Sequence, residues 1–296
     1  MAEKYTLFHV EGGLGKNVAA TAVAQCIKNN HQNRKLIVVC SYPEVFMHNP
    51  CVHEVYRIGN HPYFYDKYIA GKDTLIFKHE PYFTHDHIYK KKSLIENWCE
   101  MYGLKYNKEM PELFISQRIR DLIKNKYARQ KPIMIIHSNG GLFQGQPTPY
   151  SWCRDMPRNL VQQVADVYAN KYHIYQVCRH EANIVNGVEA ILEPMSNLEL
   201  FSILLLSKKR LLIDSCLQHA AVALPNLPST VLWIGSPKDV FGYDMHTNIQ
   251  ANPPKNPAKL IDSYLFDYNF NGVIHEYPYM EGEEMFDKEE IIKSLE

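Results

Sequence analysis

The 296-residue chain lacks several features that would assign it to a class at once. It has no run of eighteen apolar residues, so the sequence predicts no membrane span. No repeat with a period of about 20–50 residues is present. The opening MAEKYTLF leads straight into a strand without a signal-peptide pattern, which favours a cytoplasmic protein. None of the seven cysteines lies in a C-x-x-C pair, so they predict buried thiols of a reduced compartment rather than a disulfide or zinc framework: Cys26, Cys40, Cys51, Cys99, Cys153, Cys178 and Cys216.

The chain also lacks net charge, but its charges are unevenly distributed. The first 130 residues carry 19 Lys and Arg against 13 Asp and Glu, and the remaining residues carry the reverse. Such asymmetry indicates two units with different roles, the first of which would suit an anionic partner. Zero net charge argues against strong nonspecific binding of DNA.

A glycine-rich turn follows the first apolar run, in the stretch FHVEGGLGKNVAATAVAQ. Gly12, Gly13, Gly15 and Lys16 resemble part of an ATP-binding P-loop, whose backbone N–H groups and Lys hold phosphates while a Ser or Thr binds Mg²⁺. The following residue here is Asn17, a poor Mg²⁺ ligand. The opening glycine position holds Val10, and Glu11 stands where the partition-type ATPase loop has Lys. The turn therefore indicates a different anion at a helix N-terminus, a close backbone approach, or a tight turn without ligand.

Strand-like and helical runs alternate along the whole chain and restart near residue 131. This pattern predicts an α/β protein with two doubly wound, Rossmann-like domains, 1–130 and 131–296, whose last helix is free to pack back on the first domain. The predicted strands are 5–10, 35–40, 54–58, 74–78, 131–138, 173–178, 210–214 and 229–235. The predicted helices are 16–29, 93–104, 114–127, 156–170, 196–206 and 215–224.

Polar residues follow two strands of the second half. RLLID ends at Asp214 and Ser215, which are good helix N-cap types, and His219 lies one turn further along the same helix. TVLWIG ends at Gly235 and Ser236. Ligands of open α/β sheets bind at the carboxyl ends of the strands, so these residues are predicted to line a phosphate-binding cleft.

Several segments, in the right order, resemble the ADP-heptose:lipopolysaccharide heptosyltransferase family, the family-9 glycosyltransferases. DSCLQHAAVAL with the following strand and GSPKD resembles the family's donor-binding segment. LGKNVAATAVAQCIKN resembles its opening turn and helix, NPCVHEVYRI its N-P-x-V-D-x-V segment, and IIHSNGG with SWCRDMPRNLVQQVADVY the start of its second domain. The resemblance implies the GT-B fold, in which two Rossmann-like domains face a cleft, with the nucleotide-sugar donor on the second domain.

Site residues carry over by position. Asp214, Ser215 and His219 would line the donor site, with Ser138 and Asn139 at the cleft between the domains. Arg154 stands where the family places a basic residue near the diphosphate, and arginine suits bidentate contact with phosphate.

The resemblance has one important departure, because the family's catalytic Asp corresponds to Lys16. A cation is unsuited to deprotonating an acceptor hydroxyl at neutral pH unless it is strongly desolvated. Glu11, at the mouth of the turn, is the nearest carboxylate in sequence, and Asp86 is the second candidate for the base. Lys16 would then bind an acceptor phosphate or the leaving diphosphate.

We therefore expect a glycosyltransferase that moves a sugar from a nucleoside diphosphate sugar to an acceptor hydroxyl, without a metal or other cofactor and, by resemblance, with inversion. Two acceptors stay open: a glycan or lipid-linked saccharide, or a hydroxymethylated base in DNA. The segment 60–92 mixes Tyr and Phe with His and Lys, which would suit either one. The alternatives from other classes are a P-loop-like ATPase or switch, and a sugar-nucleotide-binding protein without catalysis.

Overall fold

The computed structural model describes residues 3–140, 154–192, 195–225, 227–253, 255, 279 and 283–296. Most of the Gly/Pro-rich loop predicted after Asn139 lies outside these residues. In the first half, four parallel strands form a sheet of order β3-β2-β1-β4: β1 Lys4–Val10, β2 Lys35–Cys40, β3 Glu54–Arg57 and β4 Asp73–Phe77. The helices of this half are α1 Leu14–Asn30, α2 Phe64–Tyr68, α3 His85–Ile88, α4 Leu94–Met101 and α5 Gln117–Tyr127.

The second sheet has six parallel strands in the order β10-β9-β8-β5-β6-β7. These strands are β5 Ile133–His137, β6 His173–Val177, β7 Glu189–Ile191, β8 Ser207–Ile213, β9 Thr230–Trp233 and β10 Thr247–Gln250. Its helices are α6 Arg158–Tyr168, α7 Asn197–Leu204, α8 Cys216–Ala223, α9 Lys238–Phe241 and α10 Lys288–Ser294. The two-sheet α/β architecture predicted from the alternating pattern is confirmed.

Each sheet has a point where the strand order reverses. In the first sheet the chain proceeds from β1 to β2 and β3 on one side and places β4 on the other, so the reversal lies between β1 and β4. In the second sheet it lies between β5 and β8. The loops after neighbouring strands diverge at such a point and leave a crevice at the carboxyl edge. The fold therefore offers one crevice on each sheet.

Helix α1 joins the two halves. Every residue from Asn17 to Ala24 is buried, so the helix has no exposed face over these two turns. The reason is that α1 packs against its own sheet and α4 on one side and against α8 of the second half on the other. The small side chains of AATAVA permit this close packing on all sides. One hydrophobic core consequently includes residues from both halves.

The last helix, α10, packs on the second half. Its residues Ile291 and Leu295 belong to the apolar cluster beneath α6, and the hydroxyl of Tyr168 on α6 donates to the carbonyl of Ile292. Packing back on the first domain, which the sequence left open, is not the arrangement found. None of the described helices is both long enough and apolar enough to cross a bilayer. Six cysteines are free thiols in the described residues: Cys26, Cys40, Cys51, Cys99, Cys178 and Cys216.

Candidate active site

The glycine-rich turn connects β1 to α1 at the first crevice. Gly12 has φ +86°, which a residue with a side chain adopts only with strain, and Gly13 is the N-cap of α1. The buried side-chain amide of Asn17 donates to the carbonyls of Gly12, at 3.3 Å, and Gly13, at 2.9 Å. Asn17 therefore stabilises the turn through its side-chain amide.

Gly15 lies where the two halves approach each other closely. A Cβ at this position would stand 2.8 Å from Cδ2 of His219 and 3.2 Å from Cα of Cys216. The first turn of α1 thus rests directly on the first turn of α8. The glycine serves a close backbone approach between the two helices.

We predict that Gly15→Ala destabilises the protein. Alanine normally stabilises a helix relative to glycine by up to about 1 kcal/mol. Here its methyl group would force α1 and α8 apart, and overpacking costs about 1–3 kcal/mol. The urea midpoint of unfolding should fall. Gly13→Ala is the matched control, because a Cβ there meets no atom within 4 Å. An unchanged or higher midpoint for Gly15→Ala would contradict the close approach.

Lys16 is held in an ion pair rather than free in the turn. Its Nζ lies 2.6 Å from Oε1 of Glu80 and 5.3 Å from the ring centroid of Tyr82. The Lys16 side chain is 13% exposed and that of Glu80 is 26% exposed. Glu80 follows β4 and Lys16 follows β1, so the ion pair spans the crevice of the first sheet.

Tyr82 connects this pair to the second half. Its pKa is raised, first by burial and then by the negative charges of Glu80 and Asp214. Asp214 follows β8, so the phenol lies within electrostatic range of one carboxylate from each half. Nearby, the rings of His87 and Phe241 meet edge to face with centroids 5.9 Å apart. The segment after β4 therefore forms one wall of the contact between the halves.

The second crevice is organised by a buried ion pair that the sequence analysis missed. Nη2 of Arg179 lies 2.7 Å from Oδ2 of Asp155, and these side chains are 6% and 0% exposed. The other carboxylate oxygen, Oδ1, accepts from the backbone N–H of Gly140 at 3.0 Å, and Arg179 also donates to the Gly140 carbonyl. Arg179 follows β6, and Gly140 follows β5. The pair thus fixes the start of the loop after β5.

Arg154 and Ser215 meet at Gly140. A Cβ on Gly140 would stand 2.9 Å from Cδ of Arg154 and 3.4 Å from Oγ of Ser215. The guanidinium is near enough to the first turn of α8 to lower the pKa of the Cys216 thiol, although burial outweighs it and raises that pKa to about 11. Residues from three separate segments are therefore gathered where β5 and β8 end, beside a helix N-terminus.

Ser138 and Asn139 are buried beneath the crevice rather than at its surface. The Ser138 hydroxyl accepts from Nε2 of Gln176 at 2.8 Å and donates to Oδ1 of Asn139 at 2.8 Å. Next to them, His137 is buried at the end of β5, and desolvation lowers its pKa to about 4. These contacts fix the residues that directly follow β5 from within the protein.

His219 lies between the two halves and is neutral. Its Nδ1 is 2.8 Å from the hydroxyl of Tyr243, and its Nε2 is 3.0 Å from Nε2 of Gln218. Burial lowers its pKa to about 3.

Gly235 and Ser236 follow β9. Gln250 holds the end of this strand through hydrogen bonds to the carbonyls of Trp233 and Ile234.

The two carboxylates that were expected to act as bases occupy different surroundings. The Glu11 side chain is 60% exposed, and its Oε1 lies 3.6 Å from Nδ1 of His9. Asp86 is bound to Lys92, at 3.1 Å, and to His85, at 3.1 Å, and these contacts lower its pKa. Lys16, the cation of the glycine-rich turn, is paired with Glu80 and with neither Glu11 nor Asp86. The sequence carried no motif for Glu80, which reaches Lys16 only because β4 pairs with β1.

No group of three or more His, Cys, Asp or Glu side chains is arranged to hold a metal ion within the described ranges.

At the sequence level, neither a family model nor a curated protein matches the chain. Solved structures do match it. The family-9 glycosyl transferase of Veillonella parvula has a TM-score of 0.66 at 11% identity, with 99% of this chain and 97% of that chain covered.

Two enzymes of E. coli also match this chain. The ADP-heptose lipopolysaccharide heptosyltransferase II has a TM-score of 0.62 at 12% identity, over 83% of this chain and 89% of that one. Heptosyltransferase WaaC with ADP-2-deoxy-2-fluoro heptose has a TM-score of 0.51 at 13% identity, over 83% and 93%. At this low identity the likeness establishes the fold. The chain has the GT-B fold of the family-9 glycosyltransferases, as the resemblance in its sequence implies.

Proposed function

We propose that the protein is a glycosyltransferase that moves a sugar from a nucleoside diphosphate sugar to an acceptor hydroxyl. One observation carries the proposal. The crevices at the reversal points of the two sheets lie next to each other, because the first turn of α1 contacts the first turn of α8. The second crevice gathers Arg154, Ser215 and a helix N-terminus, which suit a diphosphate. The first crevice supplies carboxylates, which suit activation of a hydroxyl.

The donor would bind to the second half. Asp214, Ser215 and His219 border the α8 N-terminus, Arg154 lies beside it, and the strand end at Gly235 and Ser236 lies on the same edge. Adenosine diphosphate sugars are the first donors to test. WaaC was solved with ADP-2-deoxy-2-fluoro heptose, and the iron-containing heptosyltransferase TibC, another solved structure that this chain resembles, was solved with ADP-D-β-D-heptose. The acceptor would approach the first half, through the turn of Gly12 and Gly13 and the segment after β4.

A thermal-shift screen of ADP, UDP, GDP and their sugars tests donor binding. A ligand at a hundredfold excess over its dissociation constant stabilises the folded state by about 2.7 kcal/mol. Release of nucleoside diphosphate, with saccharides or hydroxymethylated DNA as acceptors, tests transfer and separates the two acceptor classes. EDTA should leave the rate unchanged, because we propose transfer without a metal. Mg²⁺-dependent ATP hydrolysis without sugar transfer would favour the ATPase alternative, and binding without turnover the non-catalytic one.

Arg154→Met is expected to weaken the binding of nucleoside diphosphate. A hydrogen bond to a charged group contributes about 1.5–3 kcal/mol, so the dissociation constant should rise about 10- to 150-fold in titration calorimetry. Arg158→Met is the matched control, since Arg158 is exposed on α6 and donates to the carbonyl of Ile184. Equal affinities for both variants would remove Arg154 from the donor site.

A further inference from the structure

The ion pair between Lys16 and Glu80 places a carboxylate at the first crevice from an unexpected strand. Its Oε1 accepts from Lys16 Nζ at 2.6 Å. Among the residues that the structure describes, Oε2 accepts no hydrogen bond, and the side chain keeps about a quarter of its surface exposed, at 26%. One oxygen is thus anchored, and the other is able to accept a proton.

The neighbours of this carboxylate lie close to the second half. Lys16 is the next residue after Gly15, which touches the first turn of α8, and Tyr82 lies in the electrostatic field of both Glu80 and Asp214. Asp86, by contrast, is bound to Lys92, and Glu11 is mostly exposed to solvent. Of the carboxylates that follow β1 and β4, Glu80 combines a fixed position with proximity to the second half.

We infer that Glu80 is the general base of the transfer reaction and that Lys16 is its positioning residue. The inference rests on the proposed function. Oε2 of Glu80 takes the proton of the acceptor O–H group, and the freed oxygen lone pair forms the bond to the anomeric carbon of the donor. The bond from that carbon to the diphosphate oxygen breaks, and its electron pair leaves with the nucleoside diphosphate. The proton on Glu80 then passes to water.

Lys16 has two effects in this arrangement. Its ammonium holds the Glu80 side chain in one rotamer, whereas a solvated glutamate would sample several. Its Nζ also lies over Gly12, where a Cβ would stand only 2.7 Å away. The left-handed glycine therefore has a steric purpose besides its backbone conformation, because it leaves room for the ammonium. Lys16 occupies the position that corresponds to the family's carboxylate, and Glu80 supplies a carboxylate from the segment after β4, the neighbour of β1 in the sheet. The two residues act together.

The test compares Glu80→Gln with the unaltered protein. Glutamine keeps the shape and an oxygen for Lys16 but does not accept the proton, so kcat should fall about 10²- to 10⁴-fold. The donor dissociation constant should change less than about twofold, because the loss lies in the transition state. The readout is release of nucleoside diphosphate from the donor found by thermal shift, with the saccharides and hydroxymethylated DNA of the transfer assay as acceptors. Glu189→Gln is the matched control, as Glu189 pairs with Arg129 on the strand β7 of the other sheet.

Chemical rescue separates catalysis from structure. Added formate should restore part of the rate to Glu80→Ala and none to Glu189→Ala, since a small carboxylate replaces a missing base but not a missing ion pair. Glu11→Gln is measured in parallel. A larger loss in Glu11→Gln than in Glu80→Gln, or a Glu80→Ala variant that formate does not rescue, would overturn the inference. If the unaltered protein turns over no donor, the proposed function itself fails.

Discussion

Between pH 6.5 and pH 4 the free energy of unfolding is expected to fall by several kcal/mol. Four histidines are buried in the folded protein, and burial lowers the pKa of each one: to about 4 for His87 and His137, to about 3 for His219, and in the same direction for His246. In the unfolded chain their pKa is about 6.5. Below that pH the unfolded state binds more protons, so acid favours unfolding.

The hydrogen bonds of two of these histidines independently indicate the neutral form. Nδ1 of His246 accepts from the backbone N–H of Ser229 at 3.2 Å, while Nε2 lies 3.1 Å from the carbonyl of Gln218. Nε2 of His219 faces the side-chain amide nitrogen of Gln218 at 3.0 Å. Protonation would turn each accepting nitrogen into a donor that faces another donor. Each histidine therefore contributes stability that is complete above pH 6.5 and is lost toward its lowered pKa.

Urea unfolding measured at intervals from pH 7.5 to pH 5 tests this expectation. Each histidine adds a slope of up to about 1.4 kcal/mol per pH unit. His246→Asn should flatten the dependence, and His85→Asn should not, because the His85 side chain is 64% exposed. A free energy of unfolding that stays constant from pH 7 to pH 5 would show that the buried histidines do not titrate with unfolding.

Asp155→Ala is expected to destabilise the protein by about 3–5 kcal/mol, because it leaves the guanidinium of Arg179 buried without its carboxylate. The backbone N–H of Gly140 loses its acceptor in the same change. Gly140 should then lose its fixed position beside Arg154, so donor affinity should fall as well. The urea midpoint and the calorimetric dissociation constant measure the two effects.

The double variant Asp155→Leu with Arg179→Met provides the comparison. Replacing both members of a buried ion pair by apolar side chains is often much less costly than removing one. The double variant should therefore be more stable than Asp155→Ala. A loss below about 1 kcal/mol in Asp155→Ala would mean that water or another group compensates Arg179.

Much of the fold follows from local patterns in the sequence. Continuous apolar runs such as KLIVVC and IMIIH predict parallel strands covered on both faces, and they form β2 and β5. Ser196 predicts a helix start, and it caps α7 with Glu199 in a reciprocal pair of hydrogen bonds. The short helices α2, α3 and α9 were not predicted, because four or five residues carry too little periodicity.

The candidate site was predictable only in part. Asp214 and Ser215 stand next to their own strand, so a local motif reveals them. Glu80 and Arg179 reach the site through pairing between β1 and β4 and between β5 and β6, which no local motif records. The position of Gly15 shows the same limit. A glycine in a turn is visible in the sequence, but the helix from the other half that requires it is not.

The contact between α1 and α8 also has an electrostatic consequence. Each helix carries about half a positive elementary charge at its N-terminus, so two like ends of helix macrodipoles converge where Gly15 meets Cys216. Asp214 directly precedes Ser215, the N-cap of α8, where a negative charge is favourable. The whole chain has no net charge, so long-range attraction of an anion would come only from the uneven distribution of charge between the halves. The positive N-terminal ends of the two helices attract an anionic ligand only within a Debye length, about 8 Å at physiological salt. The ligand therefore experiences this attraction after it has entered the cleft.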